Sequence, residues 1–355
     1  MKKLYKLIIT IIFYLIYGKI KKIIDRSKNQ KISIINKDKK IYKIYSIFNC
    51  RIFTDTIHDT AFLYDNKIIK GVSFQLRKNI NSNIKNNIVF IRGTPKILKK
   101  IQSPLLCILT GGAGNNNYWH WMYDALPRIG LVENKYKLKN FSKILVPDKS
   151  YKFQIETLKL LGIVNKSISS KYNKHIYSKH IIATNHPWQH SNSAHKDIGN
   201  VPKWISLWLK KKFLKFKSDK KFYKKIYIDR SDSKFSRLNQ RQIVNEDEIK
   251  KILIKKKFKI VTLSKFSFID QIAIFNSAKI IIGNHGAGFA NLVFCKKNAK
   301  IIEFIDKNTS KPIKKISKDL NLKYFSLLGK RIGKNKYNQN NNLEIPINKL
   351  IKIIN

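Results

Sequence analysis

Acidic residues, cysteine and arginine are all scarce in this chain of 355 residues, and each shortage removes a class of function. The three cysteines, Cys50, Cys107 and Cys295, lie far apart, are odd in number and form no Cys-x-x-Cys pair, so neither a disulfide framework nor a zinc site is expected. A reducing, cytoplasmic compartment is the matching expectation. Acidic residues number 21 against 73 Lys and Arg, a formal charge of +52 that would ordinarily point to nucleic acid or an anionic membrane. Yet 64 of those cations are Lys and only 9 are Arg, spread along the whole chain among Ile and Asn as an AT-rich genome would dictate. No basic stripe alternates with stacking aromatics, so a solvated Lys surface is expected and a specific nucleic-acid partner is not. Attraction to anionic lipid or anionic substrate stays compatible with the charge. No two aspartates have the Asp-x-Asp spacing that chelates a divalent ion on a nucleotide diphosphate, so no metal and no cofactor are expected. No internal repeat is visible.

Long apolar runs are also few. Leu7 to Tyr17 is uncharged and flanked by Lys2, Lys3 and Lys6 before and Lys19, Lys21 and Lys22 after. As a helix it is too short for a hydrocarbon core of roughly 30 Å. A signal peptide would need a small-x-small cleavage site, which does not follow. Two readings stay open: a helix in the membrane interface, peripheral to its inner face, or a helix docked on the protein.

What is present is 43% hydrophobic and 12% aromatic content, enough for a sizeable core over two domains. After an apolar, basic segment at 1–30, the chain divides into an α/β domain over 31–215 with a small β-rich start, a second over 216–332, and a linker with a final helix over 333–355. Short runs such as Ile41 to Phe48 and Ala61 to Tyr64 predict antiparallel strands, with Asp65-Asn66 as a hairpin turn. Strands then alternate with helices: Leu105 to Thr110, a helix from Tyr118, Lys143 to Val146, a helix over Tyr151 to Leu161. The stretch 170–200 reads as a polar loop holding five of the eight histidines, His175, His180, His186, His190 and His195, without metal-ligand spacing. Beyond a bridging helix over Trp204 to Leu214, strands at Lys225 to Ile228, Phe258 to Leu263, Lys279 to Ile282 and Lys300 to Ile305 predict a Rossmann-like half. Asn245 with Glu248, and Ser267 with Asp270, are the caps expected of its helices.

Three clusters carry chemistry. In Gly283-Asn284-His285-Gly286-Ala287-Gly288 an apolar strand ends in a glycine turn with a short helix after it, where amides and the helix dipole favour a phosphate; a plain strand-to-helix turn is the alternative. Three of the nine arginines, Arg230, Arg237 and Arg241, fall within twelve residues after another strand. In so Lys-rich a chain they point to bidentate grip on phosphate or carboxylate, or else to ion pairs with Asp229, Asp232 or Glu246. In Gly114-Asn115-Asn116-Asn117-Tyr118-Trp119-His120-Trp121-Met122-Tyr123-Asp124-Ala125-Leu126-Pro127-Arg128, His120 and Asp124 share one helix face as base and orienter, or merely stabilise the helix.

In order, Asn117 through Arg128, Tyr227-Ile228-Asp229-Arg230 through Arg237, Asn245-Glu246, Gln271-Ile272, Ile282 through Asn291 and Ile302-Glu303 resemble glycosyltransferase family 61. The resemblance implies a GT-B fold of two Rossmann-like domains facing an interdomain cleft. It implies an inverting hexosyl- or pentosyltransferase, without a required metal, acting from a nucleotide-sugar donor onto a glycan or lipid-linked glycan in capsular or surface polysaccharide synthesis. Arg230, Arg237, Asn284, His285, Gly286, Ala287, Gly288 and Asn291 become donor ligands, Asn117, Trp121 and Arg128 acceptor-side residues. The base is Asp124 positioned by His120, or the reverse. Phe289-Ala290 stands where the family usually has Leu-Thr, which removes one hydroxyl. The reading from another class is a non-catalytic polyanion- or membrane-binding protein on the same fold.

Overall fold

The computed structural model describes residues 2–54, 59–75, 83–109, 116–189, 191, 197–233, 241–307, 309–333 and 341–355. Arg237, His190, His195, Gly114, Asn115 and most of the expected linker lie outside them. The chain forms two compact units, Met1–Ile198 and Gly199–Asn355. The division falls ahead of helix Lys203–Phe213, whereas the sequence reading draws it after that helix. The helix packs within the second unit: Lys210 Nζ donates to the Cys295 carbonyl at 2.7 Å and Phe213 meets the Phe268 ring edge-on.

The first unit begins with helix Lys2–Tyr17 and carries strands β1 (Lys22–Ile24), β2 (Gln30–Lys37), β3 (Lys40–Phe53), β4 (Asp59–Tyr64), β5 (Lys67–Ile69), β6 (Phe74–Gln75), β7 (Lys99–Lys100), β8 (Leu105–Cys107), β9 (Lys143–Val146), β10 (Ser167–Ser169) and β11 (His175–Thr184). The Asp65-Asn66 turn forms as read: both residues have positive φ, 47° and 51°, which two-residue hairpins of the right twist require. All eleven strands join one mixed sheet, with β1-β5-β4-β3-β11-β8-β9-β10 as its path. The β-rich start is therefore not a separate part. It is welded to the α/β part through β3, whose residues 44–53 pair antiparallel with β11, while β11, β8, β9 and β10 run parallel. This half is a mixed sheet rather than a Rossmann unit.

The reading of 170–200 as a loop is corrected by β11, a ten-residue strand at the centre of that sheet. Its His and Lys residues mask a β-branched and aromatic pattern, Ile176, Tyr177, Ile181, Ile182, Thr184, and only pairing on both edges shows it as core. Ile176, Ile181 and Ala183 pack with Tyr45, Ile47, Leu105 and Leu145.

The second unit carries β12 (Lys225–Asp229), β13 (Lys259–Thr262), β14 (Ile280–Asn284), β15 (Lys300–Ile305) and β16 (Lys323–Leu328), all parallel, in spatial order β13-β12-β14-β15-β16. The order reverses between β12 and β14, so the carboxyl ends of these two strands flank the crevice where open α/β sheets collect ligands. The core under the sheet holds Tyr227, Ile249, Leu253, Ile282, Ile302 and Phe304. A ribbon of β17 (Lys330–Ile332) and β18 (Asn342–Glu344) precedes helix Ile347–Ile354. Among the described residues no helix is long and apolar enough to cross a membrane.

Candidate active site

The first constellation rises from the helix that runs from 118 to 132. Asn117 starts it: its side-chain oxygen accepts from the Trp119 and His120 amides at 2.9 and 3.4 Å, two of the donors a helix start leaves unpaired. Midway the helix widens into a π turn over Trp121–Ala125, closed by the Leu126 amide on the Trp121 carbonyl. Pro127 explains the widening, since it has no amide for the preceding turn and its ring would strike the carbonyl of Tyr123 in a regular α-helix.

On this turn His120 Nδ1 donates to Asp124 Oδ2 at 2.7 Å. The other carboxyl oxygen accepts from Trp188 Nε1 at 2.6 Å. His186 Nδ1 accepts the Trp188 and Gln189 amides, which places its proton on Nε2, 3.9 Å from Asp124 Oδ2. Asp124 is only 1% exposed while the His120 ring is 23% exposed, so a ligand reaches the imidazole and not the carboxylate. Burial alone would raise the Asp124 carboxyl, but His120, His186 and the Trp188 hydrogen bond hold it below its ordinary value. Burial would likewise lower the His120 imidazole, and the charge and hydrogen bond of Asp124 carry it above its ordinary value.

Two expected acceptor-side residues sit elsewhere. Trp121 is fully buried with its Nε1 donating to Thr157 Oγ1 at 2.9 Å. Arg128 is buried too, its Nη1 donating to the Thr184 and Asn185 carbonyls at 2.7 and 3.3 Å. Both fix the helix against its neighbours, and neither presents a surface to an acceptor. Asn117 is half-buried and spends its side-chain oxygen on the cap.

The second constellation sits at the β12/β14 switch point of the other unit. Arg230 follows β12, and its Nη1 donates to the His285 carbonyl in the turn after β14. A Cβ on Gly286 would come within 2.9 Å of the Arg230 guanidinium carbon, so this glycine makes room for arginine. Gly288 and Gly283 do the same for apolar neighbours: added Cβ atoms would meet Leu263 Cδ1 at 2.8 Å and Ile228 Cβ at 3.1 Å. The glycines thus serve packing of the turn as well as backbone approach. Asn284 Nδ2 donates to the Arg241 carbonyl at 2.8 Å, tying a second arginine to the same turn. Burial first, and then the charge of Arg230, lower the Arg241 guanidinium to about 10.

Among the described residues no carboxylate lies within ion-pair distance of Arg230. Asp229 is engaged instead by Lys250, Ser231 and Thr262 at 2.9, 2.6 and 2.8 Å, and Glu246 by Tyr227 and Lys250. The ion-pair alternative for Arg230 therefore fails. His285 Nδ1 donates to Glu303 Oε1 at 2.5 Å, and Tyr324 donates to the other oxygen at 2.6 Å. His285, Gly286, Ala287 and Gly288 are partly exposed, followed by a 3-10 helix over Ala287–Phe294. Asn291, expected to meet the donor, is fully buried and donates to Gln271 Oε1 at 3.0 Å. Ala290 is fully buried as well, so a hydroxyl there would face the interior and not the turn.

Trp188, His186, Glu303 and Tyr324 are partners that no spacing reveals. A tryptophan in an otherwise polar stretch was the one signal available for Trp188. Among the described residues no group of three or more His, Cys, Asp or Glu is arranged to hold a metal ion. Cys50 and Cys107 are buried thiols pushed up to about 12, inert as nucleophiles.

No curated protein matches the chain closely enough to count as a relative. The family model for Glycosyltransferase 61 matches residues 118–302, more than half the chain and a span that opens on the His120 helix and closes on β15. The chain belongs to glycosyltransferase family 61.

Proposed function

We propose that the protein is an inverting glycosyltransferase of GT-B arrangement, in which the first unit supplies the base and the second holds the donor. The observation that carries this reading is the His120–Asp124–Trp188 geometry. Asp124 has both oxygens occupied by donors and is buried, so it orients His120 and stays ionised. With Nδ1–H given to Asp124, the imidazole Nε2 is the atom left to take a proton, and His120 rather than Asp124 is the base. The acceptor oxygen attacks the anomeric carbon as its proton passes to His120 Nε2. The bond from that carbon to the phosphate oxygen breaks with its electron pair on the leaving diphosphate. In this reading Arg230, Arg241 and the turn from His285 to Gly288 take up that charge, and Arg237 is assigned to the same subsite from the sequence. Charge neutralisation by arginines and amides supports a metal-independent site. A surface-polysaccharide glycan, free or lipid-linked, is the acceptor class that fits the family.

The test is transfer from a panel of nucleotide-sugars to glycan acceptors, with the product anomer read by NMR. Wild type should give one donor's sugar with inverted configuration, and His120→Ala should lose about 10²- to 10⁴-fold in kcat. Full activity in both His120→Ala and Asp124→Asn, or a retained anomer, would refute the assignment.

A further inference from the structure

Helix Lys2–Tyr17 is docked on only one side. Tyr14 donates to the Ile91 carbonyl at 3.1 Å, the Leu98 amide donates to Tyr17 Oη at 2.9 Å, and Tyr17 meets the His175 ring edge-on. With Ile9 and Phe13 half-buried, these residues occupy one half of the helix circumference. The other half carries Leu4, Tyr5, Leu7, Ile8, Ile11, Ile12, Leu15 and Ile16, all exposed, from 46% at Ile12 to 83% at Leu15. Ile91 and Ile97, in the segments that hold the helix, are 69% and 76% exposed. An apolar face of this size has no counterpart among isolated surface residues and marks an interaction site.

What surrounds the face identifies its partner. Lys19, Lys21 and Lys22 follow the helix and are exposed, as are Arg92, Lys96, Lys99 and Lys171 beside its docked side. Lys96, Lys99 and Lys171 line one pocket together with Ile9 and Phe13. An apolar face rimmed by cations with no exposed carboxylate on the helix complements a surface that is apolar below and anionic above. The helix is too short to span such a surface, so it would lie in the plane of the interface.

We infer that this helix and its lysine rim dock the first unit on a bilayer of anionic phospholipid, with Leu4, Ile8, Ile12 and Leu15 in the acyl boundary and Lys96, Lys99 and Lys171 at the phosphates. Bulk charge alone would also draw the protein to anionic vesicles, so the test must separate apolar insertion from adsorption. The full chain is sedimented with vesicles of phosphatidylcholine alone and of phosphatidylcholine mixed with phosphatidylglycerol. Wild type should bind the mixed vesicles and not the neutral ones. Ile8→Gln/Ile12→Gln/Leu15→Gln leaves the net charge unchanged and should lower partitioning by about tenfold or more, because three buried apolar side chains are lost from the membrane. Lys96→Gln/Lys99→Gln/Lys171→Gln should reduce the preference for phosphatidylglycerol. Leu15→Gln alone, at the most exposed site, should lower binding in the same direction and guards against misfolding of the triple variant. Binding by the apolar triple variant equal to wild type, or no binding by wild type, overturns the proposal. So does light scattering that shows a wild-type dimer abolished by the apolar substitutions, which would assign the face to a second copy of the chain.

Discussion

Because the His120 ring edge is reachable and the Asp124 carboxyl is not, the pair makes a signed prediction about pH. His120 must be neutral to take a proton, and Asp124 raises its pKa above the ordinary 6.5. The acid limb of kcat/KM should therefore lie above pH 6.5 and shift downward in Asp124→Asn, even as kcat falls. The same pair bears on stability. The raised imidazole contributes fully below 6.5 and loses that contribution as pH climbs through its folded value. The depressed carboxyl contributes above 3.8 and loses it as pH falls through its folded value. Thermal melts should accordingly show the pair's contribution, measured against Asp124→Asn, fading on both sides of that window. At the second constellation, Arg241→Lys keeps the charge and loses the planar fork. Donor KM should rise by about ten- to a hundredfold, the equivalent of roughly 1.5–3 kcal/mol for a charge-assisted hydrogen bond. An unchanged KM in steady-state kinetics would remove Arg241 from the donor subsite.

Helices and strands show which local signals survive folding. Ser267 caps its helix as the sequence predicts, accepting from the Asp270 amide at 3.2 Å. Asn245 does not cap. Its amide instead pairs with both backbone groups of Ile345, at 2.9 and 3.0 Å, so a motif for a helix start is spent on holding the C-terminal segment. The final helix expected within 333–355 begins only at Ile347, because 342–344 pairs with β17. Asn117, expected on the acceptor side, caps the helix that carries His120 and Asp124. Asn117→Ala should cost about 1 kcal/mol in urea unfolding of that unit and lower kcat through a displaced His120, with the His120 acid limb left in place. A loss of activity without any loss of stability would instead mark Asn117 as a substrate contact. The π turn was not legible, since Pro127 inside a helical pattern predicts a break or a kink and not which hydrogen bond gives way.

For the chain as a whole, the charge of +52 makes any anion look like a ligand, so specificity has to be read from linkage. A nucleoside diphosphate at 100 times its Kd should stabilise the protein by about 2.7 kcal/mol, retained at raised salt. Heparin or DNA should give shifts that vanish with salt. Melting curves that move only with the polyanions would favour a non-catalytic polyanion binder. The sequence by itself determined four of the five strands in the second unit's parallel sheet, all but β16, together with the hairpin at Asp65-Asn66, the pairing of His120 with Asp124 and the family. These rest on periodicity, turn chemistry and spacings within a few residues, which the backbone geometry of a single element enforces. Tertiary structure alone decided that β11 is central strand and not loop, that Trp188 reaches Asp124 from 64 residues away, that Glu303 grips His285 and that Trp121 and Arg128 face inward. Each of those depends on which elements meet across a sheet, and hydrogen-bond partners chosen by topology leave no periodic trace along the chain.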